Sequence, residues 1–326
     1  MSSSGFFKKR RLRRAGYMAF TAAFVAVVLM VYSRPTFAAV TVDTSTENLA
    51  TDYNFQRKTW HDGTRYWTAF DNGTGIEFWY SADGSSWTQN ASATLASTSF
   101  EFSIEGDSSN LFIAYTTGID VAARQATSYP GTGFSWGGAT TWFPGSSPLD
   151  LHYNYPAIER DTDDRVRIIC QRYIEATKSV VTELATSAND ITASSTTEIL
   201  GSGSANDKYA AIAALAGGDM YAAWYDNGSL LGRKYTSGSG WDGSNTTIAT
   251  GTTDYPQMVS NTSADEAYIV YSDGNTKFQR YIDGTGWQTV VTLDSNAGNS
   301  DTTISINTAS NDLYAFWIRS NTIFYK

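Results

Sequence analysis

A short apolar motif recurs six times and limits what this chain can fold into. It reads "YWTAF" (Tyr66–Phe70), "FIAYT" (Phe112–Thr116), "RIICQ" (Arg167–Gln171), "YAAWY" (Tyr221–Tyr225), "YIVYS" (Tyr268–Ser272) and "YAFWI" (Tyr314–Ile318). The first residues of successive copies lie 46, 55, 54, 47 and 46 positions apart. A second strand-like run precedes each copy, as in "YNFQRKTW", "FEFSIE" and "YPAIERD", and a third follows, as in "GIEFWYS" and "LLGRKYT". A fourth closes most units, as in "TTEIL", "TTIAT" and "TVVTLD". No segment carries the i, i+3, i+4, i+7 spacing of an amphipathic helix. Four short strands per unit at this period predict an all-β, six-bladed propeller. Its blades fall at about 52–97, 98–147, 152–200, 206–250, 253–294 and 299–326.

The sixth unit stops after its third strand. "VTVDTST" (Val40–Thr46) reads like "VTLDSNA" (Val291–Ala297), which closes the fifth. Residues 40–46 are therefore expected to pair beside Thr322–Tyr325, complete the last blade and remove an open sheet edge.

Between third and fourth strands a turn recurs with a tryptophan behind it: "YSADGSSW" (Tyr80–Trp87), "YTSGSGW" (Tyr235–Trp241) and "YIDGTGW" (Tyr281–Trp287). Asp83 and Asp283 are acidic, but the middle copy has no acid. A group needed for chemistry is not optional in this way; a turn former is. Asp83, Trp87, Trp241, Asp283 and Trp287 are therefore expected to be architectural, with each tryptophan returning to the core.

Residues 1–38 differ in kind. "FFKKRRLRR" is followed by the uncharged "AGYMAFTAAFVAVVLMVY" and then "SRPTFAAV". This is the order of an export signal, cleaved after Ala38 or Ala39. The alternative is an uncleaved anchor, with residues 15–33 spanning a bilayer. Either places residues 39–326 outside the cytoplasm, as one domain. Seven of the 23 basic residues and none of the 32 acidic ones lie in 1–38, so the remainder carries 16 basic against 32 acidic groups, net −16. Such a surface disfavours nucleic acid and anionic lipid as partners; any membrane contact would run through the N-terminal segment. A single cysteine, Cys170, permits no internal disulfide, and neither His61 nor His152 is near it in sequence, so strand packing is its expected role. No His/Cys cluster, EF-hand spacing, phosphate loop or Gly-x-Ser-x-Gly elbow is present, and neither metal nor cofactor is expected.

In a propeller the turns leading into strand one and those between strands two and three open on one central face. The first set holds Asp52, Tyr53, His152, Tyr155, Asp207, Tyr209, Asp254, Tyr255 and Asp301; the second holds Asp71, Thr117, Arg172, Asp226, Asp273 and Arg319. From these, Asp52, Tyr53, Asp71, Tyr155, Arg172, Asp226, Asp254, Tyr255, Asp273 and Arg319 are the candidate ligand-binding funnel. Aromatic faces with a few fixed carboxylates suit carbohydrate. Turn formation and packing between blades account for the same residue types.

The Tyr–turn–Trp repeat resembles the Asp-box (BNR) repeats of sialidase-like six-bladed propellers, whose pattern is Ser-x-Asp-x-Gly-x-x-Trp. Ser81, Asp83, Gly84 and Trp87 match in kind, with Asp and Gly one residue closer than in that pattern. The resemblance spans 40–326 as architecture. It implies an arginine triad, a Tyr–Glu nucleophile pair and an acid/base Asp. The Phe/Tyr-Arg-Ile-Pro signature is replaced here by "YNFQRK", only Arg172 and Arg319 are arginines at central positions, and no catalytic residue carries over. A looser resemblance links "SLLGRKYTSGSGW" and "TKFQRYIDGTGW" to six-bladed fucose-binding lectins, with Arg233 or Arg280 and Trp241 or Trp287 in binding roles. Carbohydrate recognition outside the cytoplasm is the expected function. A sialidase-like glycoside hydrolase and a protein-binding or structural propeller are the alternatives.

Overall fold

The computed structural model describes residues 42–43, 45–46, 53, 55–96, 101–146, 151–174, 179–187, 191, 196–201, 208–251, 255–296, 298–307, 310–320 and 322–326. The segments expected to direct export or anchoring, 1–38 and 15–33, lie outside them.

The described chain forms six antiparallel sheets in chain order. The first joins β1 (Thr59–His61), β2 (Tyr66–Asp71), β3 (Ile76–Ser81) and β4 (Thr88–Gln89). The second joins β5 (Phe102–Gly106), β6 (Leu111–Thr117), β7 (Asp120–Thr127), β8 (Ser135–Trp136) and β9 (Thr140–Phe143). The third holds β10 (Leu151–Arg160), β11 (Val166–Ile174), β12 (Ser179–Thr186) and β13 (Thr196–Ile199). In the fourth are β14 (Lys208–Ala214), β15 (Met220–Asp226), β16 (Ser229–Thr236), β17 (Gly240–Trp241) and β18 (Thr246–Thr250). The fifth comprises β19 (Gln257–Asn261), β20 (Glu266–Ser272), β21 (Thr276–Ile282), β22 (Gly286–Trp287) and β23 (Val291–Asp294). The sixth has three strands, β24 (Ser300–Asn307), β25 (Asp312–Arg319) and β26 (Thr322–Tyr325).

First strands of successive sheets are neighbours: β1 with β5, β5 with β10, β10 with β14, β14 with β19, and β19 with β24. The architecture is an all-β propeller, with five sheets of four or five strands and a last sheet of three.

The recurrent motif is the second strand of each sheet, and its period-2 alternation explains the radial packing. In β6, Leu111, Ile113 and Tyr115 join a buried cluster with the first sheet, while Phe112 and Ala114 join one with the third. In β15, Met220, Ala222 and Trp224 face the third sheet; Tyr221 and Ala223 face the fifth. Both faces of these two strands are covered, so the motif reads there as a continuous apolar run rather than an alternating one. Cys170 is buried in the cluster between second and third sheets.

The last junction differs. Leu313 and Ala315 of β25 pack toward the fifth sheet. Among the described residues no buried apolar cluster joins the sixth sheet to the first. Tyr66, Tyr314, Ile323 (70% exposed) and Tyr325 (58%) are accessible large side chains of these two sheets. The ladder expected between 40–46 and Thr322–Tyr325 is not formed among the described residues, where β26 pairs with β25. Val40, Thr41 and Thr44 lie outside those residues. Ser45 Oγ and Thr46 Oγ1 instead donate to the carbonyls of Asp71 (2.6 Å) and Asn72 (3.1 Å), at the end of β2 in the first sheet.

Candidate functional site

Where the first strands begin, five repeats place one residue at the same level. Glu101, Tyr155, Tyr209, Tyr255 and Asp301 each stand three positions before a buried apolar residue: Ile104, Ile158, Ile212, Met258 and Ile304. The ladders slip here, between Asn154 and Ala157, Lys208 and Ala210, and Ser300 and Thr303. At each slip the shared residue is left-handed: Tyr155 at φ 55°, Tyr209 at 52° and Asp301 at 48°. This conformation costs a non-glycine residue on the order of 1 kcal/mol, and here it recurs in three repeats.

The first repeat departs from this plan. Its first strand is only Thr59–His61, and the residues before it turn in toward the axis, with Gln56 N donating to Tyr53 O at 2.8 Å. The Tyr53 ring lies 4.8 Å from Tyr155 and 6.1 Å from both Tyr209 and Tyr255; Phe55 lies 5.4 Å from Tyr209 and 5.8 Å from Tyr255. Tyr155 to Tyr209 is 5.1 Å, and Tyr209 to Tyr255 is 4.1 Å. Tyr53 and Phe55 are buried, whereas Tyr155, Tyr209 and Tyr255 are half-buried. The axis thus carries a floor of packed rings, not an open funnel.

Glu101 joins this level from the second sheet. Its Oε2 accepts from Thr116 Oγ1 (2.8 Å) and Tyr155 N (3.3 Å). Burial pushes its carboxyl above the ordinary value, outweighing these bonds and the charge of Lys58. Burial likewise raises Tyr155, reinforced by its bond with Tyr53 and the Glu101 carboxyl. Glu101 stands in a strand-like run and not at a turn, so in the sequence it is legible only by counting back three positions from Ile104.

Beneath the rings Arg57 reaches two sheets. Its Nη1 donates to Glu105 on β5, and its Nη2 to Glu159 on β10 and to Ile158 O. Gln56 Nε2 donates to Pro156 O at 2.9 Å, and Ile104 N to Arg57 O at 2.7 Å. Burial raises both glutamates against the pull of Arg57, and Glu159 is pushed up to about 8.

The other candidate residues have local engagements. Asp71 is buried and its Oδ1 accepts Gly73 N (2.8 Å); Asp273 Oδ1 accepts Asn275 N (3.1 Å). Arg319 Nη1 donates to Asp294 Oδ2 at 2.6 Å and its guanidinium lies 4.0 Å from the Phe324 ring. Arg172 is half-buried opposite Tyr153 in the ladder, and Asp226 pairs with Ser229; both make contacts of their own. Asp52, Asp207 and Asp254 lie outside the described residues.

On the opposite face, Asp83 Oδ1 accepts Ser85 N and Ser86 N at 2.8 Å each, bonds that hold its carboxyl well below the usual range. Gly84, Gly238 and Gly284 fill the same left-handed position at φ 72°, 76° and 70°, which is why glycine is constant there and aspartate is not. Asp283 accepts Lys234 Nζ (2.6 Å), which also meets Asp219 (2.8 Å) in the fourth sheet. Trp287 Nε1 donates to Tyr221 OH (2.8 Å) across two sheets, Trp241 packs on Tyr235 at 5.4 Å, and Trp87 is half-buried. The arginines of the lectin-like reading are held within their own sheets: Arg233 Nε donates to Asn245 (2.8 Å) and Arg280 Nε to Glu266 (2.8 Å).

No protein-family model matches the chain, and no curated protein matches it in sequence. Solved structures do match in fold. A Penicillium chrysogenum α-L-arabinanase complexed with arabinobiose superposes with TM-score 0.56 at 9% identity, covering 86% of this chain and 93% of that one. A family PL25 ulvan lyase bound to a GlcA–Rha3S unit gives 0.54 at 10%, covering 84% and 78%. A Trypanosoma rangeli sialidase gives 0.52 at 12%, covering 83% of this chain and 53% of that one. The shared fold is the β-propeller. Each of these is a carbohydrate-active enzyme, and at such identities the likeness is one of fold.

Proposed function

We propose that this chain is an exported six-bladed propeller protein that recognises carbohydrate at the axial mouth formed by Glu101, Tyr155, Tyr209, Tyr255 and Asp301. The carrying observation is that three of these positions hold left-handed, non-glycine backbone in register with one another. Strain repeated in this way favours a site over ordinary packing. The exposed parts of these half-buried tyrosine rings offer apolar surface to sugar C–H groups, and the carboxyl groups meet hydroxyls. The binding of carbohydrate by fold neighbours supports the same reading. In the sixth blade, residues 40–46 supply the fourth strand. The contact of Ser45 and Thr46 with Asp71–Asn72 is consistent with this, because Asp294 at the end of β23 meets Arg319 of the next sheet in a similar way.

A glycoside hydrolase is the second reading, favoured by the half-buried, raised carboxyl of Glu101 beside Tyr155. A glycan array and a panel of chromogenic glycosides test both. Binding lost in Tyr209→Ala without turnover supports recognition. Turnover that falls by ~100-fold or more in Glu101→Gln supports hydrolysis. If the parent protein neither binds nor cleaves any sugar, both readings fail.

A further inference from the structure

Among the described residues, the third sheet extends further past the shared level than the others do. Glu101 and Tyr255 lie one and two residues before β5 and β19 begin, and Tyr209 and Asp301 are the second residues of β14 and β24. Tyr155 is the fifth residue of β10. The second strand keeps pace: β11 ends seven residues past Arg167, the first residue of its motif, whereas the other second strands end four or five residues past theirs. Leu151–Asn154 pair with Gln171–Ile174 in unbroken register. These four added pairs make a two-stranded wall of roughly 13 Å beside Tyr155.

Strand alternation tells the two faces of the wall apart. Tyr153, Ile158, Ile168 and Cys170 belong to the cluster shared with the second sheet. On that side the wall is braced, with Tyr153 N donating to Ile119 O (3.0 Å) and Ser146 N to Leu151 O (3.2 Å). Ala157 and Ile169 are paired on the other face, in the cluster that holds Tyr53 and Phe55 and against which Tyr155, Tyr209 and Tyr255 pack. The next pairs out along that face are Asn154 with Gln171 and His152 with Tyr173. They continue the surface that carries the axial rings. Gln171 is buried, whereas Asn154, His152 and Tyr173 are half-buried, and the His152 and Tyr173 rings meet edge to face at 5.7 Å. The ladder shift between Asn154 and Ala157 lies at the foot of the wall; such irregularities re-aim side chains beside sites.

We infer that Asn154, His152 and Tyr173 form a second subsite beside the axial rings, so that the ligand is an oligosaccharide of two or more units rather than a single sugar. One unit rests on the rings at the axis and the next lies along the wall of the third sheet. The Tyr173 ring supplies apolar surface for C–H groups, and the Asn154 amide both donates to and accepts from hydroxyls. The inference rests on the carbohydrate reading above; it adds the length of the ligand and the side of the mouth along which it runs.

The test is calorimetric titration of the full chain in non-ionic detergent with matched monosaccharides, disaccharides and trisaccharides of arabinose, xylose, galactose, glucose, N-acetylglucosamine and galacturonic acid. In at least one series the disaccharide should bind about tenfold or more tightly than its monosaccharide. Tyr173→Ala and Asn154→Ala should each cut that gain by about threefold or more and leave monosaccharide affinity unchanged, whereas Tyr209→Ala should weaken every probe. Should Tyr173→Ala fail to fold, Asn154→Ala and His152→Ala decide the matter on the same split between short and long probes. A disaccharide bound no more tightly than its monosaccharide overturns the inference and leaves the carbohydrate reading standing. A gain kept in full by folded wall variants overturns it too, since the second unit would then be held elsewhere. If no probe of any length binds, the carbohydrate reading has failed and the second subsite falls with it.

Discussion

Arg57 holds the axial segment Tyr53–Lys58 to the second and third sheets, and it does so with one positive charge between two buried carboxyls. Glu105 and Glu159 have side chains only 13% and 9% exposed. Burial is the largest influence on Glu159 and raises it; Arg57 opposes this, while Glu105 and Asp161 push the same way as burial. The result is a carboxyl pushed up to about 8 in the folded chain against an ordinary 4.5. The folded state therefore keeps a proton that the unfolded state releases. The stability this contributes is fully present below about pH 4.5 and is lost as pH rises toward 8, by up to ~1.4 kcal/mol per pH unit. Across pH 5–8 the loss comes to roughly 3–4 kcal/mol, or on the order of 5–10 °C in the midpoint of a domain this large. Glu159→Gln keeps an acceptor for Arg57 Nη2 and removes the titration. Chemical denaturation at half-unit steps from pH 5 to 8.5 should show the parent losing stability over this window and the variant losing clearly less, the remainder coming from Glu105, which burial also raises. Asp62, held down at about 2 by its bonds from Trp67 and Thr64 although burial opposes them, adds stability that is lost only as pH falls toward that value. The acid limb should therefore be common to both proteins. Parallel stability curves for parent and variant between pH 5 and 8 would refute the account of this junction.

Three further outcomes follow from other contacts. Arg57→Met should destabilise by about 3–5 kcal/mol, since it leaves Glu105 and Glu159 facing one another unpaired, and adding Glu159→Gln should recover part of the loss in denaturant titration. Asp83→Ala should lower the melting temperature by removing the bonds to Ser85 N and Ser86 N, yet leave any ligand affinity unchanged; an affinity loss at constant stability would assign this turn a role in binding. Deleting residues 40–46 should promote aggregation through the β26 edge, measured by light scattering, and a truncated chain that stays monomeric and melts like the parent would remove the ring-closing strand from the proposal.

The propeller was legible because its signal is repeated: six apolar runs at similar spacing, the inner four packed between neighbouring sheets, leave few other folds open. The Asp–Gly turns were legible for the same reason, since three copies separate the constant glycine from the optional acid. The axial mouth was only half legible. Tyr155 and Tyr255 could be placed by their repeat position, but nothing local to "YNFQRK" says that Tyr53 and Phe55 leave the strand pattern and fill the axis. That outcome is decided by Arg57, Glu105 and Glu159, which are 48 and 102 positions apart in the pairs they form and which no motif connects.

The candidate carboxylates differ in how they are held. Asp71 and Asp273 sit at the right level of the right face, yet each spends an oxygen on a backbone N–H two residues ahead. A turn residue's side chain is drawn back to its own backbone, because that bond costs little ordering. Glu101 lies at the edge of a strand, where Thr116 Oγ1 and Tyr155 N, from neighbouring strands, hold its carboxyl beside Tyr155. In a propeller built this way, an acid at the strand's first inward position is better placed to meet a ligand than an acid in the turn beside it. Glu101→Gln should accordingly disturb ligand binding more than Asp71→Asn or Asp273→Asn does, and the reverse ranking, measured by titration on folded variants, would return the site to the turns.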